Sequence, residues 1–202
     1  RDAFTGQAAA GGALGTVMLI GIRRAVFSNE AGLGSASIAH AAVKTNYPVR
    51  EGIVASLGPL IDTLLVCTAT ASIIIMAGLY GDAVSTQSGI ELTTLAFDQF
   101  FLGFGKYFIS ISVFLFAFST MITWSYYGET ASQFSFGPRF NLAYKWVFVA
   151  LIYIGSVTSL KTVLNFSDLM IGLMVIPNTI AIMMMAGTVK RLSDTYFKQL
   201  EN

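Results

Sequence analysis

The segment FSNEAGLGS, residues 27–35, carries polar groups of the kind that can bind small charged solutes. Ser28 and Asn29 offer a hydroxyl and an amide, while Gly32 and Gly34 permit backbone conformations that release main-chain carbonyls and amides from a helix. Groups of this kind, held in non-helical backbone, can meet the two charged ends of a small zwitterion or coordinate a cation. The segment is therefore the first candidate binding site.

Two further polar interruptions lie in apolar sequence. Asp62 lies within SLGPLIDTLLVCTATAS, where a membrane carboxylate marks either a functional site or a packing acid that hydrogen-bonds a neighbour. In FAFSTMITWSYYGE, Thr120 and Trp124 share one helical face, and Ser119 precedes them. Hydroxyls of this kind either bind a cation or join two membrane helices, and the spacing alone leaves both readings open.

The composition is that of a membrane protein. Hydrophobic residues make up 54% of the chain, charged residues 11%, and the mean hydropathy is +0.68. The net charge of +1 provides no basic surface for a nucleic acid. Cys67 is the only cysteine and His40 the only histidine, so the sequence predicts no disulfide and no metal site of the zinc type.

Long stretches without charge predict five membrane-spanning helices in a single membrane domain over residues 1–202. Their predicted bounds are 8–46 with a break inside, 51–79, 106–127, 144–160 and 163–187. An external surface helix is predicted over 91–101, and residues 188–202 form a cytoplasmic tail. In this order nine Lys and Arg residues fall in inner connections and three in outer ones. The N-terminus is therefore predicted outside and the C-terminus in the cytoplasm.

Prolines refine this map. Gly58 and Pro59 predict a kink just before Asp62. In VIPNTIA, Pro177 predicts a break in the fifth span, with Asn178 beside it. The alternative for the first span is that it ends at Arg24 and leaves FSNEAGLGS as a cytoplasmic loop.

Four blocks of this sequence resemble the C-terminal half of the alanine or glycine:cation symporters, the sodium:alanine symporter family. The blocks are RRAVFSNEAGLGSASIAHAA, IDTLLVCTATASIII, FAFSTMITWSYYGE and DLMIGLMVIPNTIA. They extend over most of the chain in the family's order, and the first and third are long enough to be specific.

The resemblance implies an all-α, multi-pass integral membrane protein whose five helices form the second inverted repeat of a LeuT-type transporter fold of the APC superfamily. The implied function is sodium-coupled symport of a small neutral amino acid, alanine or glycine, across the prokaryotic plasma membrane by alternating access. The implied partners are that amino acid, Na⁺ as coupling ion, the lipid bilayer and a missing N-terminal half of the same transporter.

Site residues follow from the polar segments and the resemblance together. The predicted substrate-binding residues are Phe27, Ser28, Asn29, Gly32, Thr120 and Trp124. The predicted sodium-binding residues are Ser119 and Thr120, and Asp62 and Asp168 are predicted to act in gating or coupling. Thr123 stands where the family commonly has glycine, which leaves the preferred size of the substrate side chain open.

Two other classes of function stay open at this point. A passive channel or a non-catalytic membrane subunit would also need polar breaks in its helices. An intramembrane aspartyl protease would need paired aspartates, but the GLYGD motif at Asp82 is not the G-x-G-D that such enzymes carry. The chain is therefore predicted not to be an enzyme.

Overall fold

The computed structural model describes residues 6–30, 32–79 and 89–200, and in these residues the chain is all-helical. The α-helices are α1 (Gly6–Ser28), α2 (Ser35–His40), α3 (Pro48–Leu60), α4 (Thr68–Met76), α5 (Gly89–Phe100), α6 (Gly105–Phe136), α7 (Asn141–Val157) and α8 (Leu160–Leu200). A π-helical segment, Ile61–Cys67, joins α3 to α4, and a 3-10 turn, Pro138–Phe140, joins α6 to α7. Asp82, and the part of the predicted outer loop around it, lie outside the described residues.

Four helical stretches within the described residues are long and apolar enough to cross a membrane. They are Pro48–Met76, Gly105–Phe136, Pro138–Val157 and Leu160–Leu200. Residues 8–46, the predicted first span, are not among the four. They hold α1 and α2, which are separated by non-helical backbone. With four such stretches, the chain is a multi-pass membrane protein.

The chain divides into two compact units. Unit 1 comprises residues 1–59 and 159–202, and unit 2 comprises residues 60–158. Unit 1 holds α1, α2, nearly all of α3, and α8, whereas unit 2 holds the π-helical segment and α4 to α7.

Unit 1 is joined by contacts between residues far apart in sequence. The Tyr47 and Tyr196 rings lie 5.6 Å apart between their centroids, which fixes the start of α3 against the end of α8. His40 Nδ1 contacts Glu51 Oε1 at 2.6 Å and ties the end of α2 to the first turn of α3. These contacts join α2 and α8 to α3 within unit 1.

Unit 2 is built on the long helix α6. Its first residue, Gly105, is buried against α5, and its Lys106 backbone N–H donates to the Asp98 carboxylate at 3.3 Å. At its other end, Gly137 has a φ of 84°, a left-handed conformation that ends the helix, and the chain turns at Pro138. Helix α7 then returns along α6.

Hydroxyl side chains along α6 bond within their own helix, which explains how an apolar helix accommodates them. Ser110, Ser112 and Thr130 each donate to the carbonyl four residues earlier, over 2.7 to 2.9 Å. A hydroxyl that donates to a helix carbonyl leaves no unsatisfied donor in an apolar environment.

The predicted break at Pro177 is wrong, because α8 runs without interruption from Leu160 to Leu200. Proline removes only one backbone donor from a helix, and membrane helices tolerate this where neighbouring groups satisfy the released carbonyl. Near Pro59 the structure adds a feature that the sequence did not predict. The helix widens into the π-helical segment two residues later, and the Thr68 hydroxyl donates to the Thr63 carbonyl, five residues back, at 3.3 Å.

Candidate functional site

The polar segment of unit 1 is a short stretch of non-helical backbone between two helices. Helix α1 ends at Ser28 and α2 begins at Ser35. Between them Glu30, Gly32 and Gly34 have φ angles of 51°, 77° and 86°, all in the left-handed region. Three left-handed residues in so short a run interrupt the regular α-helical hydrogen bonds. We call residues 29–30 and 32–34 the break.

Side chains in and beside the break add hydrogen bonds of their own. Ser35 is buried, with 1% of its surface exposed. Its hydroxyl donates to the Glu30 carboxylate at 2.6 Å and so links the start of α2 to the residues that follow α1. The Asn29 side-chain amide donates to the Ala25 carbonyl at 3.1 Å, in the last turn of α1. Glu30 keeps a left-handed φ although it is not glycine, which is the kind of strain that concentrates at functional sites.

A cavity of about 470 Å³ adjoins the end of α1 in unit 1. Its lining includes Phe27 from α1 and Asp168 from α8, together with Val26, Leu169 and Gly172. Asp168 Oδ2 also accepts a hydrogen bond from Arg24 Nη2 at 2.8 Å, which forms an ion pair between α1 and α8. The cavity is mostly apolar, and it has this charged pair on one side.

The candidate residues of unit 2 lie on α6. The Ser119 hydroxyl donates to the Phe116 carbonyl at 3.0 Å, and its oxygen keeps lone pairs that can face a cation. The Trp124 and Tyr127 rings pack edge to face, with centroids 5.8 Å apart. The Tyr144 hydroxyl of α7 donates to the Trp124 carbonyl at 3.4 Å. Tyr127 thus packs against the indole within α6, and Tyr144 links the backbone of Trp124 to α7.

Asp62 occupies the first turn of the π-helical segment. Such segments are rare and occur often at functional sites, since they widen a helix and change the direction of its side chains. Among the described residues, no three of His, Cys, Asp and Glu come close enough together to hold a metal ion.

Comparison with known proteins decides the family. The family model described as "Sodium:alanine symporter family" matches residues 1–202, the whole of the chain. The chain belongs to the sodium:alanine symporter family. This family consists of symporters, and the resemblance found in the four sequence blocks is confirmed.

Curated relatives of this symporter family are similar along nearly the whole chain. The chain is 39% identical over 189 residues to "Sodium/alanine symporter AgcS" of Methanococcus maripaludis, covering 93% of this chain and 42% of that protein. It is 39% identical over 202 residues to "Probable sodium/glutamine symporter GlnT" of Bacillus subtilis, covering 98% and 41%. It is 32% identical over 218 residues to "Sodium/proton-dependent alanine carrier protein" of Bacillus sp. strain PS3, covering 100% and 49%.

The chain thus spans less than half the length of these three relatives. No solved structure matches it. The geometry of this member of the symporter family is therefore known from its own two units.

The predicted site residues divide between those units. In unit 1, Phe27 and Asp168 line one cavity, and Ser28, Asn29 and Gly32 follow Phe27 into the break. In unit 2, Ser119, Thr120 and Trp124 lie on α6, and Asp62 lies in the π-helical segment. Their roles stay predictions.

Sequence reasoning missed two residues that contact the candidate site. Arg24 is the partner of Asp168, and its signal was an opposite charge in the apolar sequence just before the break. Asn178 donates from α8 to the Gly32 carbonyl at 2.8 Å. Its signal was an amide in an otherwise apolar stretch, but only the fold reveals what it contacts.

Proposed function

We propose that this chain is one half of a sodium-coupled symporter for a small neutral amino acid, with alanine or glycine as substrate. The observation that carries the proposal is the break: non-helical backbone with three left-handed residues, in a chain that belongs to a symporter family. Unwound backbone is costly in lipid and is tolerated where it lines a protein-enclosed cavity.

The substrate would bind at the break. Phe27 and Ser28 end α1, and Asn29 and Gly32 follow in the break. The C-terminal end of α1 carries the negative end of a helix dipole, which suits the ammonium group of an amino acid or a sodium ion. Thr120 and Trp124 would contribute the hydroxyl and the ring that limit the size of the side chain.

Sodium would bind through Ser119 and Thr120. Hydroxyl oxygens are hard ligands of the kind that alkali cations take, and donation from Ser119 to its own helix leaves the oxygen available as an acceptor. Sodium binding would raise the affinity for the amino acid, and by linkage the amino acid would raise the affinity for sodium.

Gating would involve the two aspartates. Asp168 pairs with Arg24 beside the cavity that Phe27 lines, so opening and closing of this ion pair would control access to the end of α1. Asp62, in the π-helical segment, would couple ion binding to movement of its helix.

The complete transporter would have the LeuT-type inverted repeat, with this chain as its second half and α1 and α2 as its broken helix. An N-terminal half would complete it, in agreement with the share of the relatives that the chain spans. It would lie in the prokaryotic plasma membrane with the start of this chain outside, as the distribution of Lys and Arg favours.

The experiment is uptake of labelled alanine by cells that express the complete reading frame encoding this chain. We expect uptake in sodium but not in choline, and accumulation above the external concentration, which a passive channel cannot produce. Uptake that is indifferent to sodium, or that only equilibrates, contradicts the proposal. Unlabelled glycine and glutamine added as competitors identify the substrate, since one relative is named for glutamine.

The sodium site is tested by Thr120→Val, which replaces the hydroxyl by a methyl group of similar size. We expect the half-saturating sodium concentration to rise on the order of tenfold, equivalent to about 1.4 kcal/mol. Thr130→Val is the matched control, because Thr130 lies on the same helix and donates to the Tyr126 carbonyl. An equal change in both variants would remove the assignment.

A further inference from the structure

Asn178 reaches from α8 to the break instead of bonding its own helix. Its side-chain amide donates to the Gly32 carbonyl at 2.8 Å, and both residues belong to unit 1. Asparagine within a helix commonly bonds nearby backbone, so a contact with a carbonyl in another segment is a specific tertiary interaction.

The same side chain also fills the space that a side chain at residue 34 would need. A Cβ added to Gly34 would lie 2.9 Å from Asn178 Oδ1 and 3.1 Å from its Cγ. Gly34 has in addition a φ of 86°. Glycine at this position is favoured by the left-handed backbone conformation, and a larger residue would also displace the carboxamide of Asn178.

Asn178 thus lies against both ends of the short segment 32–34. One contact holds a carbonyl that the interrupted helix leaves without its regular partner, and the other packs the carboxamide against Gly34. A carbonyl without a partner in an apolar environment is costly, so the Asn178 amide stabilises the left-handed conformation over a return to helix.

We propose that Asn178 is a positioning residue that fixes the backbone of the break and so sets the affinity of this symporter for its amino acid and sodium. Asn178 acts through the Gly32 carbonyl and the space at Gly34. The inference rests on the proposed function for its effect on affinity, whereas the contact itself can be tested without transport.

The first experiment measures uptake by the complete transporter carrying Asn178→Ala. We expect the half-saturating alanine and sodium concentrations to rise about fivefold, the consequence of losing one hydrogen bond to the break. The maximal rate per transporter in the membrane should stay within about twofold, because Asn178 is not itself one of the proposed binding or gating residues. Asn165→Ala is the matched control, since Asn165 is an exposed asparagine of the same helix.

The variant Asn178→Asp separates the hydrogen bond from the packing. Aspartate keeps the shape of the side chain beside Gly34, but an ionised carboxylate cannot donate to the Gly32 carbonyl. We expect it to raise the half-saturating concentrations at least as much as Asn178→Ala does. Wild-type values in Asn178→Asp or in Asn178→Ala would overturn the proposal.

The second experiment is a double-mutant cycle on thermal unfolding of the purified transporter. Gly34→Ala alone must accommodate both the left-handed φ and the collision with Asn178, but in the Asn178→Ala background only the φ strain remains. We therefore expect Gly34→Ala to lower the unfolding midpoint less in that background than in wild type. Gly34→Ala combined with Asn165→Ala should show additive shifts.

The two experiments distinguish failure of this inference from failure of the proposed function. Additive shifts for Gly34→Ala and Asn178→Ala would overturn the positioning role whatever the transporter carries. Non-additive shifts in a protein with no sodium-dependent uptake would support the contact and contradict the symport.

Discussion

The break of unit 1 and the start of α6 in unit 2 both depend on glycine, but for different physical reasons. Gly32 has a φ of 77°, and a Cβ added there would meet nothing within 4 Å. Gly105 begins a regular helix, and a Cβ added there would overlap the backbone of Phe97 and Asp98. One glycine is needed for its backbone angle and the other for the close approach of a neighbouring helix.

The hydrogen-bond partners of polar side chains also differ between the two regions. On α6 the hydroxyls bond the carbonyls of their own helix, so the helix is satisfied internally. Around the break two polar side chains bond across segments, Arg24 to Asp168 and Asn178 to Gly32, in addition to local bonds. The non-helical backbone of the break thus depends on hydrogen bonds from another segment, whereas the start of α6 depends on close packing against α5.

The largest effect is expected for Gly105→Ala. Backbone atoms cannot rotate away from the added methyl group, so we expect a loss of about 3 kcal/mol, the upper end of the range for overpacking. Gly155→Ala is the control, because Gly155 lies in α7 with nothing within 4 Å of the added Cβ. It should be neutral or stabilising by up to about 1 kcal/mol. Equal unfolding midpoints for the two variants would contradict the comparison.

The next effect is expected when the cross-segment ion pair is broken. Asp168→Asn leaves Arg24 without its carboxylate beside the cavity, and Asp168 is the proposed gating residue there, so we expect alanine uptake by the complete transporter to fall on the order of tenfold. The exchange Arg24→Asp with Asp168→Arg should restore part of the loss.

The matched control is an ion pair of unit 2. Lys145 Nζ lies 3.0 Å from Glu129 Oε1, and its side chain is 52% exposed, close to the 43% of Arg24. Because neither Lys145 nor Glu129 lines the cavity beside the break, Lys145→Met should change uptake less than twofold. A loss with Lys145→Met as large as that with Asp168→Asn would remove the distinction between the two pairs.

A smaller effect is expected for Gly32→Ala. The added methyl group has space, so only the left-handed φ is strained, at a cost of about 1 kcal/mol. Gly21→Ala is the control within α1, where the Cβ also meets nothing within 4 Å and the φ is not positive. Thermal unfolding should place Gly32→Ala between Gly105→Ala and Gly21→Ala, and any other order would show that the φ angle is not the constraint.

The smallest effect is expected for Tyr144→Phe. It removes a long hydrogen bond of 3.4 Å to the Trp124 carbonyl, so we expect a loss of about 0.5 kcal/mol. The same hydroxyl would overlap a Cβ at Gly128, so Tyr144→Phe should reduce the cost of Gly128→Ala. Tyr153→Phe, at an exposed tyrosine of α7, should leave that cost unchanged.

The sequence predicted the helices better than their irregularities. Apolar stretches without charge identified the regions of the four helices that can cross a membrane, because burial in lipid requires apolar residues throughout. The rule that proline breaks a helix was wrong at Pro177, where α8 continues without interruption. The sequence also did not predict the π-helical segment after Pro59, since no residue type specifies hydrogen bonds to the fifth residue back instead of the fourth.

The sequence by itself determined the family, the membrane environment and the position of the break, since composition and glycine spacing act locally along the chain. Only the tertiary structure decided which groups hold the break. Asn178 and Asp168 are far from Gly32 and Arg24 in sequence, and each pair meets because α8 packs beside the end of α1. Hydrogen bonds and ion pairs act over about 3 Å, so their partners are fixed by folding and cannot be read from spacing.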